Sequence, residues 1–446
     1  MRGFLSSPAG ATSIGVTCAA ALVLPAATPA VAAAPRAERP AAAVGPAGAA
    51  VPGSTQSLPL APLDQERTPG TTPAQGLYRA DVRHFSLVGV IWDDPDAALR
   101  GTVQVRTRSA ASGKWSGWQD VETHNEDHGA DPASAERASG RVRGATAPLW
   151  VGDSKGVDVR VRADSVPDRA AAGRGRGGDP RSSLPSGLHL ELVDPGGGTG
   201  TQGPQADAPR TLPALNRRDT ERELDRLRAD GDLDPADDGA PRAKPYIGPR
   251  PGIVTRRGWG ADESLRARGF VYTKKIKAAF VHHTSTGNGY SCAQAPSVIR
   301  GVYRYHVKSM GWRDIGYNFL VDKCGTIYEG RAGGVTKAVL GAHTLGFNSN
   351  SMGVAVIGSY SSRKPSSAAV KAVAKLTAWK LGLYGVNPRG KTYLTSGGGN
   401  LYPKGKSVRL NVISGHRDGF ATDCPGKRLY AKLGSARSSA AKYQGR

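Results

Sequence analysis

Two histidines and one cysteine in the C-terminal half carry the strongest chemical signal in this chain of 446 residues. His282 follows Ile276-Lys-Ala-Ala-Phe-Val281, an apolar run that reads as a strand, and His416 follows a second short strand at Val412-Ile413. Cys424 sits in Asp423-Cys-Pro-Gly426, a loop opening a helix, where proline suits the first turn. Two imidazoles and a thiolate match the tetrahedral N/S preference of zinc. Three protein ligands leave a fourth position for water, as catalytic sites require. The chain has neither an HExxH nor a CxxC, so spacing alone does not separate zinc from satisfied core histidines beside an inert cysteine. His283, His306 and His343 are the other histidines of this region, and the mid-helix place of His306 reads as structural.

The elements that must position these groups alternate between strand and helix, which predicts an α/β domain over 250–446. Tyr317-Asn-Phe-Leu-Val321 and Met352-Gly-Val-Ala-Val-Ile357 read as strands. Ser297–Met310 and Ser366–Leu383 have helical apolar spacing, the second through Val370, Val373, Leu376, Trp379 and Leu383. Residues 77–194 have another texture. Short alternating runs such as Thr102-Val-Gln-Val-Arg-Thr107 and Leu188-His-Leu-Glu-Leu-Val193, separated by turns, predict a β-sandwich. Trp92, Trp115, Trp118 and Trp150 fall here; a sandwich core is their expected use, and Lys114-Trp-Ser-Gly-Trp118 also fits a sugar-stacking surface. Residues 35–76 read as an Ala/Pro-rich linker and 195–249 as a second one. Within the latter, a solvated helix is expected around Asp219-Thr-Glu-Arg-Glu-Leu-Asp-Arg-Leu-Arg228, capped by Asp219 or Thr220.

Charge narrows the partners. The formal net charge is +23, and 250–446 hold 32 Lys and Arg against 7 Asp and Glu, so the excess lies wholly in the rear domain. Such a domain expects an anionic partner. The apolar stretch in 1–34, with Ala30-Val31-Ala32 near its end, reads as a secretory signal; it is interrupted by Pro25 and Pro29 and makes a poor membrane span. Export favours an anionic wall polymer over nucleic acid, and Cys18 lacks a good lipidation context. Removal of the signal leaves Cys292, Cys324 and Cys424, an odd number in an oxidising compartment.

Over roughly 256–433 the chain resembles the peptidoglycan recognition protein and type 2 N-acetylmuramoyl-L-alanine amidase family. The motifs, in order, are Arg257-Gly-Trp-Gly-Ala261, Phe280-Val-His-His-Thr284, Gly311-Trp-Arg-Asp-Ile-Gly-Tyr-Asn-Phe319, Gly325-Thr-Ile-Tyr-Glu-Gly-Arg331, Gly341-Ala-His343, Asn350-Ser-Met-Gly-Val354, Gly415-His-Arg417 and Thr422-Asp-Cys-Pro-Gly426. The resemblance implies a central mixed β-sheet flanked by helices, with Zn2+ held by His282, His416 and Cys424. It implies a secreted hydrolase cutting the lactyl amide between N-acetylmuramic acid and L-alanine of peptidoglycan; a non-catalytic peptidoglycan-binding protein is the alternative. Tyr317 matches the catalytic tyrosine. Thr422 stands where phage-type members have lysine, which leaves open what stabilises the oxyanion. His343 is expected near the cleft, and His283 is expected to point away from the metal while still meeting substrate. Trp312 and Arg331 match positions that accompany preference for a diaminopimelate stem. With Cys424 given to the metal, Cys292 and Cys324 remain as a disulfide. Glu329 is a conceivable proton donor, with a solvated surface carboxylate as the plainer reading.

Overall fold

In the computed structural model, which describes residues 52–63, 74–164, 184–197, 209–233 and 246–446, the front half is antiparallel β-structure. Its strands are β1 (Ser54–Pro59), β2 (Ala61–Pro62), β3 (Ala74–Arg79), β4 (Phe85–Trp92), β5 (Gly101–Ser109), β6 (Gln119–Val121), β7 (Gly144–Ala145), β8 (Leu149–Ala163) and β9 (His189–Asp194). They are ordered β1-β9-β4-β8-β3-β2, with β5 joined to β8 and β6, and β7 to β4. The long β8 pairs β4 at its start and β3 and β5 further on, so one strand serves both layers of the sandwich. Between the layers lie Val88, Val90 and Trp92 of β4, Val103 and Val105 of β5, Val157, Val159 and Val161 of β8, and Leu190 and Leu192 of β9. The two-residue period of a strand leaves Leu87 and Ile91 on the opposite face of β4. That face is also buried, together with Trp150 and Val193, against the rear domain.

The rear domain adds β10 (Thr211–Leu212), α1 (Arg217–Ala229), β11 (Ile253–Val254), α2 (Arg256–Trp259), β12 (Ala278–His283), α3 (Ala295–Arg304), β13 (Phe319–Val321), β14 (Ile327–Glu329), β15 (Ser351–Val356), α4 (Ser367–Leu383), the hairpin β16 (Lys391–Thr395) and β17 (Ser407–Asn411), β18 (Ile413–Gly415), α5 (Lys427–Tyr430) and α6 (Leu433–Gln444). Its mixed sheet runs β10-β11-β14-β13-β15-β12-β18, with β12 parallel to both neighbours. Ala279, Val281, Met352, Val354 and Val356 face α4 and α6 through Val373, Leu376, Trp379 and Leu433. Helix α4 starts where the Ser366 hydroxyl accepts the Ala369 N–H at 3.0 Å. Helix α3 covers the other face with Val298, Ile299 and Val302, and the front sheet packs against it in turn. After α3 the chain takes one turn of π-helix over Tyr305–Ser309, from which the Tyr305 hydroxyl donates to Thr146 O at 3.1 Å. Gly89 is required opposite: a Cβ there would stand 2.3 Å from that hydroxyl oxygen. Front and rear domains therefore form one unit, Ala49–Arg446.

Several sequence expectations need correction. Ser54–Pro59 lies inside the stretch read as a linker, yet all six of its residues pair with β9. It is an edge strand with Gln56 as its one buried side chain, so no apolar period marks it. Helix α1 is capped by Asn216 rather than Asp219 or Thr220, and it is docked rather than solvated. Thr220 and Leu224 are buried, Leu224 in the rear core, and the Arg217 guanidinium donates to the carbonyls of Tyr443 and Ile247. Two positions four residues apart suffice to seat a helix when the receiving surface already exists. Among the tryptophans, Trp92 fills the sandwich core and Trp150 the contact between domains. Trp115 is exposed, and Trp118 is sandwiched by guanidinium groups, Arg160 at 4.2 Å and Arg106 at 5.2 Å. Residues 1–34 lie outside the described ones. Among the described residues no helix is long and apolar enough to cross a membrane.

Candidate metal centre

Parallel pairing brings the two histidines together. Val281 of β12 is in register with Gly415 of β18, so the next residues, His282 and His416, emerge side by side at the carboxyl edge of the sheet. Their Nδ1 atoms are 3.1 Å apart. The loop before α5 returns Cys424 beneath them, with Sγ 3.8 Å from His282 Nδ1 and receiving the His283 backbone N–H at 3.5 Å. A fourth side chain able to ligate lies beside them, and sequence reasoning missed it. His128, from the front-domain loop between β6 and β7, places Nε2 3.9 Å from Cys424 Sγ. The four ligand atoms lie within 4.8 Å of one another. A tetrahedron with Zn–N near 2.05 Å and Zn–S near 2.3 Å sets N···N about 3.3 Å and N···S about 3.6 Å apart. The donor set fits zinc, and the 3.1 and 3.8 Å separations about His282 lie near these values, while the four atoms as a group spread more widely, over up to 4.8 Å.

The nitrogens turned away from the cluster are also held. Thr344 Oγ1 lies 3.4 Å from His282 Nε2, His416 Nε2 donates to Asp127 O at 3.1 Å, and His128 Nδ1 meets Asp127 Oδ1 at 2.8 Å. One front-domain residue, Asp127, thus orients two of the three imidazoles. Burial, reinforced by the neighbouring imidazoles, lowers His282 well below the usual histidine range and pushes His416 down to about 3. Burial, then the Asp127 carboxylate, pushes the Cys424 thiol up. Burial acts to raise Asp127 itself, but His128 and His416 override it and hold that carboxyl well below its ordinary value.

The other expected residues divide. Tyr317 is buried with its ring 5.5 Å from His282 and 5.8 Å from His128, and burial keeps its phenol protonated. Thr422 is half-buried and its hydroxyl accepts the Cys424 N–H at 3.1 Å, which shapes the ligand loop. His283 shares a strand face with Val281 rather than with His282; Ser285 and the Tyr360 N–H hold its two nitrogens. It nevertheless lines the cavity of about 260 Å³ beside the cluster, with Glu122, His124, His128, Thr422 and Cys424. His343 does not line that cavity: it stands behind His282, bonded through Nδ1 to Thr344 at 3.0 Å. His306 is buried under Trp312 and accepts the Gly316 N–H, a structural place.

Trp312 and Arg331 are buried, and Arg331 is already occupied. Its guanidinium makes two hydrogen bonds, 2.9 and 3.0 Å, to the carboxylate of Glu136 in the front domain, while Nε donates to Ile315 O. Glu329 is not a solvated carboxylate: it is half-buried, accepts the Arg256 N–H at 3.2 Å, and burial raises its pKa. Cys292 and Cys324 are joined, tying the start of α3 to the β13–β14 turn with Cα atoms 6.2 Å apart, and Cys424 is free. The missed residues left a faint signal: Glu122-Thr-His-Asn-Glu-Asp-His128 packs two histidines and three carboxylates into seven positions.

Comparison with known proteins gives two matching families. Residues 272–427 match the family described as N-acetylmuramoyl-L-alanine amidase, and 35–182 match one described as Rv3811 N-terminal galactose-binding domain-like. Peptidoglycan-recognition protein SC1a of Drosophila melanogaster is 30% identical over 185 residues, covering 41% of this chain and 83% of that protein. The N-acetylmuramoyl-L-alanine amidase of Homo sapiens is 33% identical over 189 residues, covering 41% of this chain but 28% of that protein. Among solved structures, Drosophila PGRP-LB is 26% identical with a TM-score of 0.33, covering 41% of this chain and 92% of that one.

Proposed function

Because the chain belongs to the peptidoglycan recognition protein and type 2 amidase family, we propose that it is a secreted, zinc-dependent N-acetylmuramoyl-L-alanine amidase. The reading is carried by one observation: His282, His416 and Cys424 converge from three separate segments at spacings suited to zinc, with Tyr317 beside them. His282, His416 and Cys424 would hold a zinc ion, which would supply hydroxide at neutral pH by lowering the pKa of a bound water from about 15.7 to ~7. The remaining work falls to this chain. His282 and His416 stay neutral above the acid range, so their lone pairs are free for the metal. Thr344 and Asp127 O fix which nitrogen faces it. Tyr317, kept protonated, donates to the oxyanion that forms at the lactyl carbonyl. Thr422 holds the Cys424 loop in shape. His343 acts through Thr344 on His282 and does not touch substrate.

To Arg331, a two-pronged donor fixed through Nε on Ile315 O, we assign recognition of the stem, with Trp312 and the cavity-lining His283 as further substrate contacts. An extra carboxylate on the third stem residue suits that fork, so diaminopimelate stems are preferred over lysine stems. The strongly positive rear domain also suits anionic wall polymers. Stripping the metal from the protein abolishes release of L-alanine amino termini from peptidoglycan, and zinc restores it, if the reading holds. Cleavage that survives full metal removal contradicts it. The second reading, a peptidoglycan-binding protein without catalysis, has one observation in its favour: with His128 in place the cluster counts four protein ligands. Four ligands close a zinc site to water.

A further inference from the structure

The front-domain segment from Asp127 to Glu136 makes a series of polar contacts across the rear domain's site. Asp127 O accepts from His416 Nε2 and from the Leu345 N–H, and the adjacent His128 places its Nε2 3.9 Å from Cys424 Sγ. Gly129 O accepts from Asn348 Nδ2 at 2.8 Å. Asp131 Oδ1 accepts from the Gly346 N–H and from Asn348 Nδ2, at 2.8 and 2.7 Å. Glu136 takes Arg331 in a two-pronged pair and the Arg313 N–H at 3.0 Å, with both side chains of the pair 7% exposed. The segment thus runs from beside His416 to the buried guanidinium, offering backbone carbonyls at Asp127 and Gly129 and carboxylates at Asp131 and Glu136 to the rear domain's donors.

We propose that this segment is a built-in occupant of the amidase cleft, with His128 as the fourth protein ligand of the metal and Glu136 holding Arg331 in place of substrate, so that the chain is latent until the arm lifts. The inference rests on the zinc-amidase reading. Its physical basis is exchange. Removing a carboxylate from a buried guanidinium is costly by itself, whereas replacing it with another carboxylate in the same fork costs little. The tethered Glu136 competes at an effective concentration on the order of mM, which a peptidoglycan lattice dense in stems can match and a dilute soluble fragment cannot. His128 lifts with it, because Asp127, Asp131 and Glu136 lie on the same loop, and its departure opens the coordination position that chemistry needs.

The test uses the full chain loaded with cobalt(II), the probe that reports coordination through its visible bands, in wild type, His128→Ala and Glu136→Gln. With the arm seated, azide leaves the wild-type bands unchanged, while in His128→Ala it shifts them. Affinity for a soluble diaminopimelate-type muramyl tripeptide rises on the order of tenfold or more in Glu136→Gln, as expected when an occluded state is removed. Glu136→Gln keeps the side chain's shape and every metal ligand, so it decides the matter even if His128→Ala folds poorly. Azide shifting wild type as readily as His128→Ala overturns the proposal. So does a Glu136→Gln protein that binds the tripeptide no more tightly than wild type. No cobalt bound by any of the three removes the metal reading and this proposal together. Opened variants that bind cobalt, azide and tripeptide but cleave nothing uphold the arm and sink the amidase reading alone.

Discussion

The front domain meets the rear domain through two regions of opposite character. The first is apolar: Leu87, Ile91, Trp150 and Val193 against Val298, Ile299 and Val302, with the Tyr305 hydroxyl satisfied by Thr146 O. The second is polar: Asp127, His128, Asp131 and Glu136 against His416, Cys424, Asn348 and Arg331. Apolar burial is non-directional and has no substitute in water once lost. Hydrogen bonds and ion pairs can be exchanged one for another with little net change. The first region is therefore a dock that stays, and the second an arm that can be traded for ligand. Position in the sequence plays no part in this: Leu87 and Ile91 lie on the same front sheet from which the arm extends.

The comparison can be broken at either region. The largest expected effect is at the metal itself. Cys424→Ala removes a ligand, so bound zinc per chain and amide cleavage should both fall to background, while circular dichroism of the metal-free protein stays as in wild type because the dock is untouched. Breaking the dock acts on stability instead. Leu87→Ala or Ile91→Ala should cost ~2–5 kcal/mol in denaturant unfolding, as large-to-small changes at fully buried sites do. Tyr317→Phe should leave zinc content and unfolding unchanged and slow cleavage by ~2.7–4 kcal/mol, the loss of one oxyanion donor. A Tyr317→Phe protein that loses zinc would mean the tyrosine orders the ligands rather than the reaction.

Proton linkage gives a fourth test. In the metal-free protein the Cys424 thiol is raised and stays protonated near neutrality, while His282 and His416 are already neutral. Zinc must displace that one proton, so affinity should climb about tenfold per pH unit through the neutral range, read by competition with a chelator. The same histidines fix the acid side. His416 titrates near 3 when folded and near 6.5 when unfolded, so the unfolded chain binds more protons between those values. The contribution of His416 to the stability of the metal-free protein is thus fully present above about pH 6.5 and is lost as pH falls from there towards 3. The smallest effect belongs to neither region: Trp115→Ala, at an exposed ring over Arg106, should change stability by no more than about 0.5 kcal/mol.

What the sequence reveals follows the same division. His282, His416 and Cys424 are legible because each ends a strand or opens a helix inside a recognisable motif, and parallel pairing then does the rest. The apolar, β-branched run of β4 announces a strand, but one whose two faces are both buried looks the same whether the second face meets a helix or a partner domain. The arm is illegible for a different reason. His128 reaches Cys424 across 296 positions from a loop without period, and no local rule says where a loop's carboxylates will land. Strand β1 and the docking of helix α1 stay hidden likewise, since each is held by a surface made elsewhere in the chain.

The most direct measurement is product analysis by mass spectrometry on purified peptidoglycan treated with zinc-loaded full chain and with its His128→Ala variant. The account predicts new L-alanine amino termini without new reducing sugar ends, released faster by the variant, and lost from both when zinc is stripped. Zinc-loaded proteins that both bind peptidoglycan and release no L-alanine termini would contradict it.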